Sequence, residues 1–165
     1  MPRSVPVSKL MTRPHEWPQL RAQTPIKDAI RILRILTEER KIEQGHTPLV
    51  FDDEYNLLGL VRLTDLLRNV RHLCETDDKA CDLGKAISPV EELVISFPES
   101  VKPDDSILVA LDIMTNHGVS IVPVMDEGKL RGVVKLSDVF DIVASLLFDE
   151  SEPKSSDWIS DYLHS

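Results

Sequence analysis

The sequence predicts an α+β fold made of two similar units, each running strand, helix, strand, strand, helix. Three observations lead there. Gly59-Leu60-Val61-Arg62-Leu63-Thr64-Asp65 returns as Gly132-Val133-Val134-Lys135-Leu136-Ser137-Asp138. An apolar helix-like run follows each copy, with Leu66, Leu67 and Val70 in one and Val139, Phe140 and Val143 in the other. Upstream, His46 to Asp52 pairs with Ile121 to Asp126 around Pro48 and Pro123, and Thr24 to Ile30 pairs with Asp105 to Leu111. A repeat of this length means two similar units and, by the same logic, two similar sites.

The elements follow in order. Ser8 to Met11 starts a short helix, and Trp17 to Arg21 is a short extended piece. Thr24 is a suitable N-cap and Pro25 a suitable first helical residue. Apolar residues at 26, 29, 30, 33 and 36 then recur with helical period. Ile32 and Ile35 add apolar surface on a second side, which suggests burial between units or against a second subunit. Pro48 to Phe51 and Leu57 to Val61 read as strands joined by the polar turn Asp52 to Asn56. The second unit repeats this with Ile121 to Met125, the turn Asp126-Glu127-Gly128, and Leu130 to Val134. Thr64 and Ser137 are placed to cap the helices that follow. The division expected is a first unit with its N-terminal segment over 1–73, a connector over 74–88, a second unit over 89–148 and an acidic tail over 149–165. In that tail, Trp158, Ile159, Tyr162 and Leu163 form a small amphipathic cluster.

Composition narrows the function. The net charge is −9, and the tail holds five acids against one lysine. Such a chain lacks the basic stripe that a phosphate-backbone binder needs, so no nucleic-acid partner is expected. No apolar run approaches the roughly 20 residues of a membrane span, and no signal-peptide pattern opens the chain. No membrane insertion and a cytoplasmic location are expected. Cys74 and Cys81, if on one helix, sit roughly 10 Å apart along its axis, too far for an undistorted disulfide. They read as two reduced thiols, and no metal site is expected. Neither a Ser-His-Asp arrangement nor a Walker loop, GxGxxG or zinc signature is present, so no enzyme activity is expected. His117, beside Gly118, reads as the C-terminal residue of a helix.

The order Pro-Val-x-Asp, short turn, Gly-aliphatic-Val-x-x-(Ser/Thr)-Asp-aliphatic, all duplicated, resembles the paired cystathionine β-synthase (CBS) domain, or Bateman module. The resemblance covers about Val7 to Phe148. It implies two βαββα units in pseudo-twofold contact through their sheets, a homodimer, and an adenine nucleotide bound in clefts between the units. The second copy keeps closer to the pattern. In the first, His46-Thr47 stands where small or apolar residues are usual, and Leu49 replaces the valine after proline. The opening Met11-Thr12 becomes Val94-Ile95 in the second copy. Three residues before each aspartate the family usually carries Ser or Thr; this chain has Arg62 and Lys135. Either these cations meet ligand phosphates, or they fill the pocket.

The candidate ligand residues are Ser120, Ile121, Lys135, Ser137 and Asp138 in the second unit, and His46, Thr47, Arg62, Thr64 and Asp65 in the first. Each aspartate can accept hydrogen bonds from vicinal ribose hydroxyls. The helix start beside it offers free backbone N–H groups and partial positive charge to a phosphate. Val50, Ile121 and Val122 are candidate walls for the adenine. A purely structural reading stays open: Asp in a first helical turn is worth ~0.3–1 kcal/mol without any ligand, and Arg62 and Lys135 can simply pair with neighbouring aspartates. The function expected is a regulatory module that binds an adenosine-containing ligand (AMP, ADP, ATP or S-adenosylmethionine) and signals occupancy to an unidentified protein partner. The alternative is a dimeric scaffold with degenerate pockets.

Overall fold

Two prolines, Pro48 and Pro123, control how far the strands of each unit extend. The computed structural model describes residues 5–39, 47–74, 87–148 and 163. His46, Cys81, most of the connector and the tail residues Trp158, Ile159 and Tyr162 lie outside the described residues. The first unit holds β1 (Gln19–Arg21), α1 (Ile26–Glu38), β2 (Leu49–Phe51), β3 (Leu57–Leu60) and α2 (Leu63–Cys74). The second holds α3 (Ile107–His117), β4 (Ile121–Asp126), β5 (Lys129–Lys135) and α4 (Leu136–Leu147). Short 3₁₀ turns at Val7–Lys9, Pro14–Glu16 and Val90–Leu93 precede the two units.

In the first sheet β2 lies between β1, parallel to it, and β3, antiparallel. In the second, β4 pairs antiparallel with β5, and the strand expected before α3 is reduced to one parallel bridge, Val101 to Val124. Leu49 faces Leu60, and Pro123 faces Val133, the residue equivalent to Leu60. Both strands also carry a register shift at the same place, after Val50 and after Val124. Leu49 is therefore the counterpart of Pro123, and the alignment of Pro48 with Pro123 is wrong by one residue.

This displacement has consequences because proline has no N–H to give. The amide of Val61 donates to the Pro48 carbonyl at 3.1 Å. Pro48 cannot return the bond, and β2 begins only at Leu49. In the second unit, Leu136 N–H donates to Ser120 O at 2.8 Å, so hydrogen-bonded pairs fall at 120, 122 and 124. Pro123 sits between them and leaves the hairpin intact. Its missing N–H is lost on the other edge. There Leu49 N–H bonds Pro18 O and Ala22 N–H bonds Phe51 O in the first unit. The equivalent donors in the second are Pro123 and Pro103, so only Val101 still bonds, to Pro123 O and from Met125 N–H.

Strand alternation creates three cores. Val50 and Val61 face α1 and α2 with Ile26, Ala29, Leu33 and Leu66. Val122, Val124 and Val134 face α3 and α4 with Ile107, Ala110, Met114 and Val139. The opposite sheet faces meet each other through Leu49, Phe51, Ile121 and Val133, with Trp17 among them. The expected contact of two units through their sheets is thus realised. The segments that lead into the units cross over. Val7, which precedes the first unit, is buried in the second core, and Val90, which precedes the second, is buried in the first. Thr12 bridges Val133, and Ile95 bridges Leu60.

The crossing segments also correct the helix starts. Pro25, with φ −61° and ψ 144°, is itself the cap residue of α1, and no side chain caps it. The Ile26 N–H is instead taken by Ser88 O at 2.9 Å, from the crossing segment. Likewise α2 and α4 begin at Leu63 and Leu136, one residue before Thr64 and Ser137. Lys135 holds the cap position of α4, and the Arg62 carbonyl accepts the first helical amides of α2, so neither hydroxyl residue is a cap. Ser106 is a true one: its hydroxyl accepts from Leu108 N–H at 3.2 Å. His117 does end α3, with Gly118 left-handed as C-cap. On α1, Ile32 and Ile35 are exposed, so this second apolar side is not buried between the units.

Candidate functional site

Each motif places its cation at the junction of strand and helix and its aspartate three residues later, in the first helical turn. Residues so spaced are neighbours on a helix surface. In the second unit, strand pairing sets Ile121 opposite Lys135, and the Leu136–Ser120 bond closes the end of the hairpin. Ser120, Ile121, Lys135, Ser137 and Asp138 are thereby gathered at one end of β4 and β5. Ser120 and Ser137 are exposed, Ile121 is buried in the core between the sheets, and Lys135 and Asp138 are half-buried. Lys135 Nζ stands 3.7 Å from Asp138 Oδ2, an ion-pair distance longer than a hydrogen bond.

The first motif is built more tightly. Arg62 grips Asp65 side-on through the Nε–Nη2 edge of its guanidinium, Nε to Oδ2 at 2.9 Å and Nη2 to Oδ1 at 3.3 Å. A second guanidinium, that of Arg68, stands 3.4 Å from Oδ1. Only 11% of the Asp65 side chain is exposed, against 32% for Asp138. Thr64 is exposed one residue before it. Thr47 contributes its carbonyl to Trp17 Nε1–H at 2.7 Å, which ties the strand entrance to the segment before β1.

Sequence reasoning missed Arg68. The signal was present, since Arg68 lies three residues after Asp65 and on the same helix face. Its counterpart at the repeat offset is Asp141. The first motif thus reads cation, carboxylate, cation and the second cation, carboxylate, carboxylate. Two of the adenine walls also need correction. Val50 and Val122 point into the cores under their own helices, because strand alternation turns them away from the other unit. Ile121 faces the other unit.

A cavity of about 310 Å³ lies elsewhere, toward the turn ends of the hairpins, lined by Leu57, Phe97, Pro98, Pro123 and Met125 among others. The aspartates follow the opposite ends of β3 and β5. In the first half the place of Pro98 is taken by Trp17, which packs with Leu49 and Phe51. Among the described residues no group of His, Cys, Asp and Glu is arranged to hold a metal, and no helix is long and apolar enough to cross a membrane.

The duplicated sheet-and-helix unit is matched twice by the profile of the CBS domain, over residues 7–72 and 90–145. The chain belongs to the CBS domain family. This CBS pair is 35% identical over 88 residues to an uncharacterized 17.7 kDa protein of Acidianus ambivalens, covering 52% of this chain and 54% of that protein. It is 33% identical over 67 residues to an inosine-5'-monophosphate dehydrogenase of Korarchaeum cryptofilum, covering 41% of this chain and 14% of the enzyme. The chain therefore spans about half of the first relative and a small part of the second. A conserved protein from Pyrococcus horikoshii has the same fold, with TM-score 0.62, 19% identity and coverage of 94% and 99% of the two chains. So do CBSX2, solved in complex with AMP (TM-score 0.63, 22% identity, 87% and 98% covered), and the cytosolic domain of the Mg²⁺ channel MgtE, solved in complex with ATP (0.64, 24%, 85% and 50%).

Proposed function

We propose that this CBS pair is a regulatory ligand sensor. It binds an adenosine-containing ligand at its helix-start motifs, above all at the second, and relays occupancy to a protein partner. The observation that carries this reading is the gathering of Lys135, Asp138, Ser120 and Ile121 at one hairpin end. An acceptor for ribose hydroxyls, a cation for phosphate and an apolar wall facing the other unit stand together there. The AMP and ATP held by two proteins of the same fold support the ligand class. Signalling requires that ligand favour one arrangement of the units over another. The crossing segments, each of which leads into one unit and bonds to the other, are the natural element to feel it. A homodimer fits the exposed Ile32 and Ile35 of α1.

The test is a thermal-shift screen against AMP, ADP, ATP, S-adenosylmethionine and NAD. A ligand at ~100 times its dissociation constant adds about 2.7 kcal/mol, a rise of roughly 5–10 °C for a domain of this size. A flat screen refutes the sensor. The second reading, a dimeric scaffold with degenerate pockets, is favoured by one observation, that Asp65 is already held by arginine. A flat screen together with a stable dimer would establish it.

A further inference from the structure

We infer that the two motifs are not equivalent: the first is closed by an internal clamp, Arg62–Asp65–Arg68, and ligand enters at Asp138. This rests on the reading of the motifs as adenosine sites. A ribose diol needs the free lone pairs of the carboxylate. At Asp65 both oxygens already accept charge-assisted bonds from Arg62, at 2.9 and 3.3 Å, and Oδ1 also faces Arg68 at 3.4 Å. A bidentate arginine pair is among the strongest and most directional of such contacts. A neutral hydroxyl that displaces it exchanges a stronger bond for a weaker one. The side chain is also nearly out of reach of solvent. At Asp138 the pairing recorded among the described residues is the single ion pair to Lys135, at 3.7 Å, and the carboxylate is about three times as exposed. No second cation follows one turn later, because Asp141 stands where Arg68 stands in the first motif. Lysine also holds a carboxylate as a point charge, without the planar fork that locks arginine in place. The second carboxylate is therefore the one a ligand can recruit.

Isothermal titration with AMP as the probe tests this. The unaltered protein binds about one AMP per chain, Asp138→Ala weakens that binding by at least about tenfold, as loss of a bond to a charged group implies, and Arg62→Ser combined with Arg68→Ala raises the stoichiometry toward two. Arg68→Ala alone, a change at an exposed side chain, loosens the clamp if the double variant does not fold, and a weak second site then emerges. Two equivalent sites in the unaltered protein, or binding that survives Asp138→Ala, overturns the inference and leaves the sensor reading intact. Absence of AMP binding in every variant, together with a flat ligand screen, overturns the sensor reading and this inference with it.

Discussion

The first unit has a full edge strand and a short hairpin, and the second has a long hairpin and almost no edge strand. The cause is a single-residue displacement of one proline. Pro48 faces β3 with the side of its backbone that would bond, so it truncates β2. Pro123 faces away from β5 and truncates the pairing with Val101 instead. The turns differ as well. Asp52 organises a five-residue loop by accepting from Glu54 N–H at 2.9 Å and Asn56 N–H at 2.8 Å, while Phe51 and Tyr55 stack at 4.5 Å. The second hairpin closes on Glu127 and Gly128 alone, both at positive φ, the geometry favoured by two-residue hairpin turns. Two copies of one plan thus diverged in strand extent, turn and site without losing the plan, because the core positions alternate identically in both.

The largest way to break this likeness is at its two glycines. A Cβ on Gly59 would stand against Ile95 O with no room, and its φ of 154° is one that residues with side chains rarely adopt. A Cβ on Gly132 would meet Thr12 O at 2.8 Å and the Met11 side chain at 2.9 Å, with no such φ. Gly59→Ala is expected to cost about 3 kcal/mol or more and Gly132→Ala about 1–3 kcal/mol, read from chemical denaturation. Equal costs would mean that the crossing segments do not differ in tightness.

The crossings themselves come next. Val7→Ala removes two methyl groups' worth of burial from the second core, and Val90→Ala does so from the first. Each should destabilise by about 1.5–2 kcal/mol. Each should also lower hydrogen-exchange protection in the unit whose core it joins and not in the one it leads directly into: α3 and α4 for Val7, α1 for Val90. Loss of protection confined to the neighbouring unit in sequence would refute the crossover.

Between the two aspartates, Asp138→Ala should weaken ligand binding more than Asp65→Ala, by about 1.5–3 kcal/mol against little change. Equal affinities in the two variants would refute the ranking. Pro123→Val should restore a donor facing Glu99 and give a protected amide at 123 by hydrogen exchange. Its net effect on stability is expected below about 1 kcal/mol, since the gained bond offsets the lost rigidity of proline. A fast-exchanging amide there would show that Pro123 is not what truncates the edge.

The smallest effect is a pH effect on the first turn. Hydrogen bonds from the Asn56 backbone, then its side chain, hold the Asp52 carboxyl below its ordinary pKa of 3.8. A depressed carboxyl stabilises the fold above its ordinary value, and the contribution is lost as pH falls through the lower folded value. The amide resonances of Glu54 and Asn56 should therefore titrate with a midpoint below pH 3.8. In Asp52→Asn that titration should disappear.

Much of this was legible in the chain. The repeat announced two units, and Gly59 and Gly132, Val61 and Val134, and Leu66 and Val139 marked equivalent core or contact positions. Both hairpin turns were visible from Asp52 to Asn56 and Asp126 to Gly128. The pairing of Arg62 with Asp65 and of Lys135 with Asp138 was open as one of two readings, because a spacing of three residues permits it but does not choose between a partner and a ligand. The proline register was misread because two prolines in similar apolar surroundings align more readily by identity than by hydrogen-bond parity. Thr24, Thr64 and Ser137 were misread as caps because a hydroxyl near a helix start looks like one whether or not its backbone turns there.

The sequence by itself determined which residues go inward and where the chain turns, since alternation, helical period and glycine placement are local properties of the chain. Which segment covers which core was decided only in three dimensions. Val7 and Val90 carry no sequence mark of their destination; they are drawn across because each unit leaves an apolar edge and an unpaired backbone that its own chain does not reach. The difference between the two motifs was decided in the same way: Arg68 and Asp141 lie one turn beyond their aspartates in the sequence, but only the folded helix brings Arg68 to 3.4 Å from Asp65 and leaves Asp138 with the longer ion pair to Lys135.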